Sequence, residues 1–213
     1  MPEPAVRALI EVAVALGTRD VARRRRALEE AVRKAPAAAV EEVILQSHLF
    51  VGFPDALNAL AAWRELSGAP PPAPSAEDPA GWEARGEQVC RAVYAHNYGR
   101  LRENVRALHP DFEGWMLTGG YGRVIGRPGL DLATRELCIA ALLAAWGAPR
   151  QLHSHLRGAL NAGARVEEVD AAVEAACAAI PPERAGEVRA LWEGIREATV
   201  TRGERTSGVP GLR

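Results

Sequence analysis

Apolar residues recur at intervals of three and four along almost the whole chain, and this period constrains the fold more than any other feature. Val6, Leu9, Ile10, Ala13 and Val14 trace one such stripe; Leu137, Ala140, Ala141 and Ala144 trace another. On a helix these spacings gather side chains on one face, whereas a half-buried strand needs strict alternation, which nowhere persists beyond a few residues. Alanine, leucine, arginine and glutamate dominate and β-branched runs are scarce, so local propensity agrees with the period. The expected helical segments are 4–16, 19–35, 38–51, 54–67, 82–107, 110–122, 132–146, 149–163, 166–179 and 182–199. Asp131 supplies an N-cap, Gly147 a stop, and Pro149 a first-turn residue for the helix that follows. The expectation is an all-α protein of antiparallel helix hairpins.

One stretch cannot join this pattern. In SGAPPPAPSAEDPAG (67–81) successive prolines remove backbone donors and bias their predecessors away from the helical region. It reads as a linker of polyproline II character between an N-terminal unit, 1–66, and a C-terminal unit, 82–200. The polar, glycine-rich stretch 201–213 reads as a flexible tail. Hydrophobic residues make up 48% and charged residues 25% of the 213, the balance of a globular protein. A net charge of −1 argues against a long-range field for nucleic acid or an anionic membrane. The longest apolar runs, CIAALLAAW and AAVEAACAAI, are too short to span a bilayer, and the N-terminus lacks the basic region of a signal peptide. Cys90, Cys138 and Cys177 are odd in number and form no CxxC, which suggests buried thiols and a cytoplasmic location.

The flanks of the linker resemble each other. With Arg7 laid on Arg135, VRALIEVAVALG falls over TRELCIAALLAAWG, and with two residues of slippage VEEV (40–43) falls over VEEV (166–169). A tandem duplication accounts for the order and spacing. The second copy carries the polar constellation. In an antiparallel hairpin closed at Gly147–Pro149, Glu136 lies about 15 Å and His155 about 9 Å below the turn, at roughly 1.5 Å per residue. Side-chain reach, or one water, can close that stagger. A carboxylate beside an imidazole is a minimal acid–base pair, since the carboxylate orients the ring and favours its protonated form. The bland alternative pairs Glu136 with an arginine and leaves His155 a satisfied helix histidine. His153 and His155, two positions apart, diverge on a helix, so a metal site is not expected.

HPDF (109–112), YGRVIGRPGLDLATREL (121–137) and HSHLRGALNAGARVEEV (153–169) carry a resemblance to a known family. Through them residues 82–176 resemble the carboxymuconolactone decarboxylase family, which includes the alkylhydroperoxidase D-like proteins. The N-terminal copy resembles the family's helical core alone. The resemblance implies two tandem repeats of an alkylhydroperoxidase D-like helical fold. It also implies one of two chemistries. The peroxidase branch resembles E-x11-C-x2-C-x3-H; Glu136 and His155 match its ends, but Ala148 and Gln151 stand at the cysteine positions. Without a thiolate pair there is neither nucleophile nor resolving thiol. The decarboxylase branch needs no cysteine and no cofactor. It implies a carboxy-lyase acting on a small carboxylated lactone or related acid, with His155 as acid, Glu136 as its partner and Arg123, Arg127 or Arg135 holding the substrate anion.

Departures from the pattern keep a non-catalytic binding or scaffold protein of the same fold as an alternative. Ile125 stands where the family commonly has tryptophan, and Ala8 and Ala27 erase the acid–base pair in the first copy. Relatives form rings of small helical subunits, which implies a homo-oligomer such as a trimer of fused two-repeat chains. Tyr121 and Trp115 are expected in a pocket wall or the core, RRRR (23–26) on a solvated helix face, and His109 in a structural role at a helix boundary.

Overall fold

The computed structural model describes residues 2–75 and 79–207, with side chains described as far as 199. Its helices are α1 (Pro4–Thr18), α2 (Val21–Lys34), α3 (Ala37–Ser67), α4 (Trp82–Tyr94), α5 (Tyr98–Leu108), α6 (Pro110–Trp115), α7 (Leu132–Trp146), α8 (Pro149–Asn161), α9 (Val166–Cys177) and α10 (Pro182–Ser207). A π-helical stretch, Met116–Ile125, follows α6, and single 3-10 turns occupy Pro79–Gly81 and Ala95–Asn97. Among the described residues there is no strand. The protein is all-α.

Helix α7 sits at the centre, with Thr134 through Ala145 buried without interruption. It packs on α1 and α8, then α9 and α3, while α2 and α3 flank α1. Its ends are built as the sequence leads one to expect. The Asp131 carboxylate accepts from the Thr134 amide (2.9 Å), Gly147 takes φ 98°, and Pro149 opens α8. These signals close the α7–α8 connection within two residues, which makes the two helices antiparallel neighbours. The α1–α2 and α7–α8 pairs have near-equal lengths, 15 and 14 residues against 15 and 13.

Three elements differ from the periodicity. The segment expected at 82–107 is broken at Ala95, whose φ of 48° and ψ of −123° cannot continue a helix. The segment expected at 110–122 leaves α-helical geometry after α6, and the Gly126 amide reaches the Tyr121 carbonyl five residues back (2.8 Å). Its backbone nearly touches α4: a Cβ on Gly122 would lie 2.0 Å from the Trp82 carbonyl oxygen, and one on Gly86 equally close to that of Leu117. Only glycine permits such an approach. The third difference is in the basic run. Arg24 shares the inward stripe of α2 with Ala27, Leu28 and Ala31 and is 7% exposed, so it is not on the solvated face.

Within α3, Gly52 (φ 82°, ψ 168°) precedes Pro54 and breaks the helix between the two expected segments. Residues 68–75 are extended or irregular, and residues 76–78 of the linker lie outside the described residues. Of the tail expected at 201–213, residues 201–207 continue α10 and 208–213 lie outside the described residues.

Candidate functional site

The hairpin brings Glu136 and His155 into direct contact. His155 Nδ1 lies 2.7 Å from Glu136 Oε2, so no bridging water is needed. Both are buried, Glu136 at 0% and His155 at 5% exposure. With the carboxylate ionised, Nδ1–H donates and Nε2 is left as the ring's other working nitrogen. Glu136 Oε1 is buried with no hydrogen-bond partner, an arrangement that favours a cation or a shared proton beside it. Space for the carboxylate depends on Gly158, one helical position beyond Arg157. A Cβ there would stand 2.5 Å from Glu136 Oε2 and 2.7 Å from Val93 Cγ1.

Three further groups surround the pair. Phe50 of α3 packs edge-on against the His155 ring, with centroids 5.9 Å apart. Tyr94 at the end of α4 and Tyr121 of the π-helical stretch meet edge to face at 6.1 Å. Burial pushes the Tyr94 phenol up to about 12, with the nearby Glu136 charge adding to it, and Tyr121 is raised well above its ordinary value by burial first, then by Tyr94 and Glu136. Cys90 is likewise pushed up to about 12, first by burial and then by Glu136. All three acids are therefore protonated at neutral pH.

The arginines expected to hold a substrate anion are placed differently. Arg135 is 1% exposed, and its guanidinium donates to Glu42 Oε2 (2.8 Å), Gln46 Oε1 (3.3 Å) and the carbonyls of Arg127 (2.9 Å), Pro128 (3.3 Å) and Leu130 (3.2 Å). Arg127 Nε donates to the same Glu42 carboxylate at 3.2 and 3.3 Å. Both guanidiniums are thus turned to α3 and tie down the segment 126–131 that precedes α7, rather than being presented beside His155. Arg123 is exposed and lies over the Trp82 ring, 5.2 Å from its centroid. Tyr121 is in the core, but Trp115 is 63% exposed, its ring against that of Phe112, itself exposed. His109 caps α6 by accepting from the Asp111 amide (3.2 Å), the structural role expected of it. His153 is exposed where His155 is buried, so the two histidines do diverge.

Glu42, Phe50 and Tyr94 escaped the sequence reading. Glu42 stood in plain view within VEEV (40–43), where the repeat drew attention to its position but not to its partner 93 residues away. Tyr94 sits mid-way through a segment read as one continuous helix, and no local signal marked it.

All three cysteines are buried and free, and burial raises each thiol. Among the described residues no group of three or more histidine, cysteine or acidic side chains is close enough to hold a metal ion. No described helix is long and apolar enough to cross a membrane.

Comparison with known proteins bears on the same region. Residues 110–200 match the model of the carboxymuconolactone decarboxylase family. Peroxisomal protein 2 of Schizosaccharomyces pombe is 31% identical over 138 residues, which are 61% of this chain and 63% of that protein. The chain thus spans somewhat less than two thirds of the length of this curated relative. Residues 110–200, which hold Tyr121, Glu136 and His155, are thus the part of the chain that is similar to the carboxymuconolactone decarboxylase family.

Proposed function

We propose that the protein is an acid–base carboxy-lyase acting on a small carboxylated lactone or a related acid. The observation that carries this reading is the 2.7 Å contact between His155 Nδ1 and Glu136 Oε2 in a buried site. Decarboxylation breaks a carbon–carbon bond, releases carbon dioxide and leaves its electron pair on the conjugated remainder, which must then take up one proton. In this reading His155, oriented by Glu136 through Nδ1, supplies that proton from Nε2 and stabilises the developing negative charge before delivery. Tyr94 lines the outer cleft beside α8, and in this reading its phenol relays a proton between the buried pair and a ligand outside.

Depth favours one second reading. A pair this well sealed also suits a structural ion pair in a non-catalytic binding protein. A thiol peroxidase fits poorly, because thiols raised by burial supply almost no thiolate at neutral pH.

The deciding experiment follows ultraviolet loss of 4-carboxymuconolactone with wild type and His155→Gln, each checked for cooperative melting. The expected result is turnover in wild type and a loss of about 10²–10⁴-fold in the folded variant, the range for removal of a general acid. Equal turnover in both proteins overturns the role of His155. No turnover by folded wild type overturns the lyase reading and leaves the structural pair.

A further inference from the structure

A cleft of about 330 Å³ opens on the face of α8 opposite the buried pair's partner helix, between α8 and the α4–α5 junction. One wall is Asn97, at the N-cap of α5, with Arg100, Leu101 and Asn104 of α5, spaced at three, four and seven; its α8 wall is His153, Ser154, Arg157 and Asn161. Among the described residues no carboxylate lines it, and neither Arg100 nor Arg157 has a carboxylate partner. Two guanidiniums and an imidazole thus face one cavity whose lining holds no acid to balance them. Several exposed arginines elsewhere do have a carboxylate partner, as Arg25 has in Glu65, Arg91 in Glu87 and Arg189 in Glu174.

Two independent features show that the cleft is built rather than incidental. Asn161 Nδ2 donates to the Val93 carbonyl (2.8 Å), which fixes α8 against the end of α4 and sets the width between the walls. At the same place Ala95 is held at φ 48° and ψ −123°, a conformation that costs an alanine roughly 1–3 kcal/mol and persists only where surroundings impose it. That strained residue separates Tyr94 from Asn97, and both line the cleft. It lets α4 stop and α5 start at an angle, so that Arg100 and Asn104 share the space with Arg157. The N-terminus of α5 carries no side-chain cap and adds its partial positive charge beside Asn97.

We infer that this cleft binds a small organic dianion, with its two anionic groups on Arg100 and Arg157, and presents it to Tyr94. Its volume is at the lower end for sites of small organic ligands, which begin at roughly 300 Å³, and is too large for a lone inorganic anion. Guanidiniums on two helices suit two anionic groups separated by a short carbon chain, and the three asparagine amides supply orienting donors and acceptors. The anion subsite is therefore carried by α5 and α8, not by Arg123, Arg127 and Arg135. Binding stands on the cleft alone; only the fate of the ligand rests on the acid–base reading.

The test is calorimetric titration of the full chain with adipate, its neutral diamide adipamide, and inorganic phosphate, at low and at physiological salt. Adipate is expected to bind, more weakly as salt rises, with adipamide silent and phosphate far weaker than adipate. Arg157→Gln and Arg100→Gln are each expected to lower adipate affinity at least about tenfold while leaving the melting temperature nearly unchanged. His155→Gln is expected to bind adipate like wild type, which separates a failed lyase reading from a failed site. Adipate binding no better than adipamide, or binding indifferent to both arginine variants, overturns the site. Phosphate binding as tight as adipate overturns the organic dianion as its ligand.

Discussion

Arg135 turns its guanidinium inward, and the whole meaning of the residue follows from that direction. Its neighbour Glu136 points into the α7–α8 hairpin, while Arg135, one position and about 100° further round the helix, faces α3. The carboxylate it meets, Glu42, is itself buried and shared with Arg127. Breaking a buried pair from one side strands the other charge, a loss of about 3–5 kcal/mol, and Arg127 remains to hold Glu42 in part. Arg135→Leu is therefore expected to lower stability by about 3 kcal/mol in urea unfolding, with Arg135→Lys recovering some of it. A substrate-holding arginine would instead raise KM and leave the unfolding midpoint where it was. The contrast explains what could be read from the sequence at this scale. Glu136 and His155 were legible because a two-residue turn and a fixed rise per residue convert their numbers into heights along one hairpin. The arginines were not, because their partner lies 93 residues upstream and no local spacing encodes it. The tetrapeptide VEEV makes the same point from the other side. In α3 its second glutamate, Glu42, is a buried anchor, whereas in α9 Glu168 is a first-turn cap that accepts from the Arg165 amide (2.9 Å).

At the scale of elements, the period of the apolar stripes fixed helix after helix, and caps fixed their ends at Asp131, Gly147 and Pro149. What the period could not carry was the interruption at Ala95, because alanine is the residue least expected to leave a helix. The break is imposed from outside, by the close backbone crossing of α4 with the π-helical stretch at Gly86 and Gly122 and by the Asn161 bond to Val93. Glycine would accept that φ without strain, though it loses more backbone freedom on folding, by roughly 0.5–1 kcal/mol relative to alanine. Relief outweighs that loss if the strain is as large as the geometry implies. Ala95→Gly is expected to stabilise the protein by about 1 kcal/mol, read as a higher urea midpoint at unchanged m-value. A lower midpoint would mean that the α4–α5 junction is not strained.

Across the whole molecule, the two halves are joined by α1 against α7 and by Glu42 and Phe50 of α3 reaching the C-terminal unit. The interior they enclose holds acids that titrate far from their ordinary range. Cys90 and Tyr94 keep their protons to about 12 in the folded state, against 9.0 and 10.0 for the free groups, chiefly because burial penalises the charged forms. Unfolded chain therefore releases these protons first. Their contribution to stability is fully present below about pH 9 and is lost as pH rises toward about 12, at on the order of 1 kcal/mol per pH unit for each group in its window. Urea midpoints measured from pH 7 to 11 are expected to stay level to about pH 9 and then to fall. Because Tyr94 titrates with the rest, the folded protein should show no phenolate absorbance for it until the unfolding transition begins. Phenolate appearing well before unfolding would mean that the folded state does not hold the Tyr94 proton, and the fall in stability would then have to come from other groups.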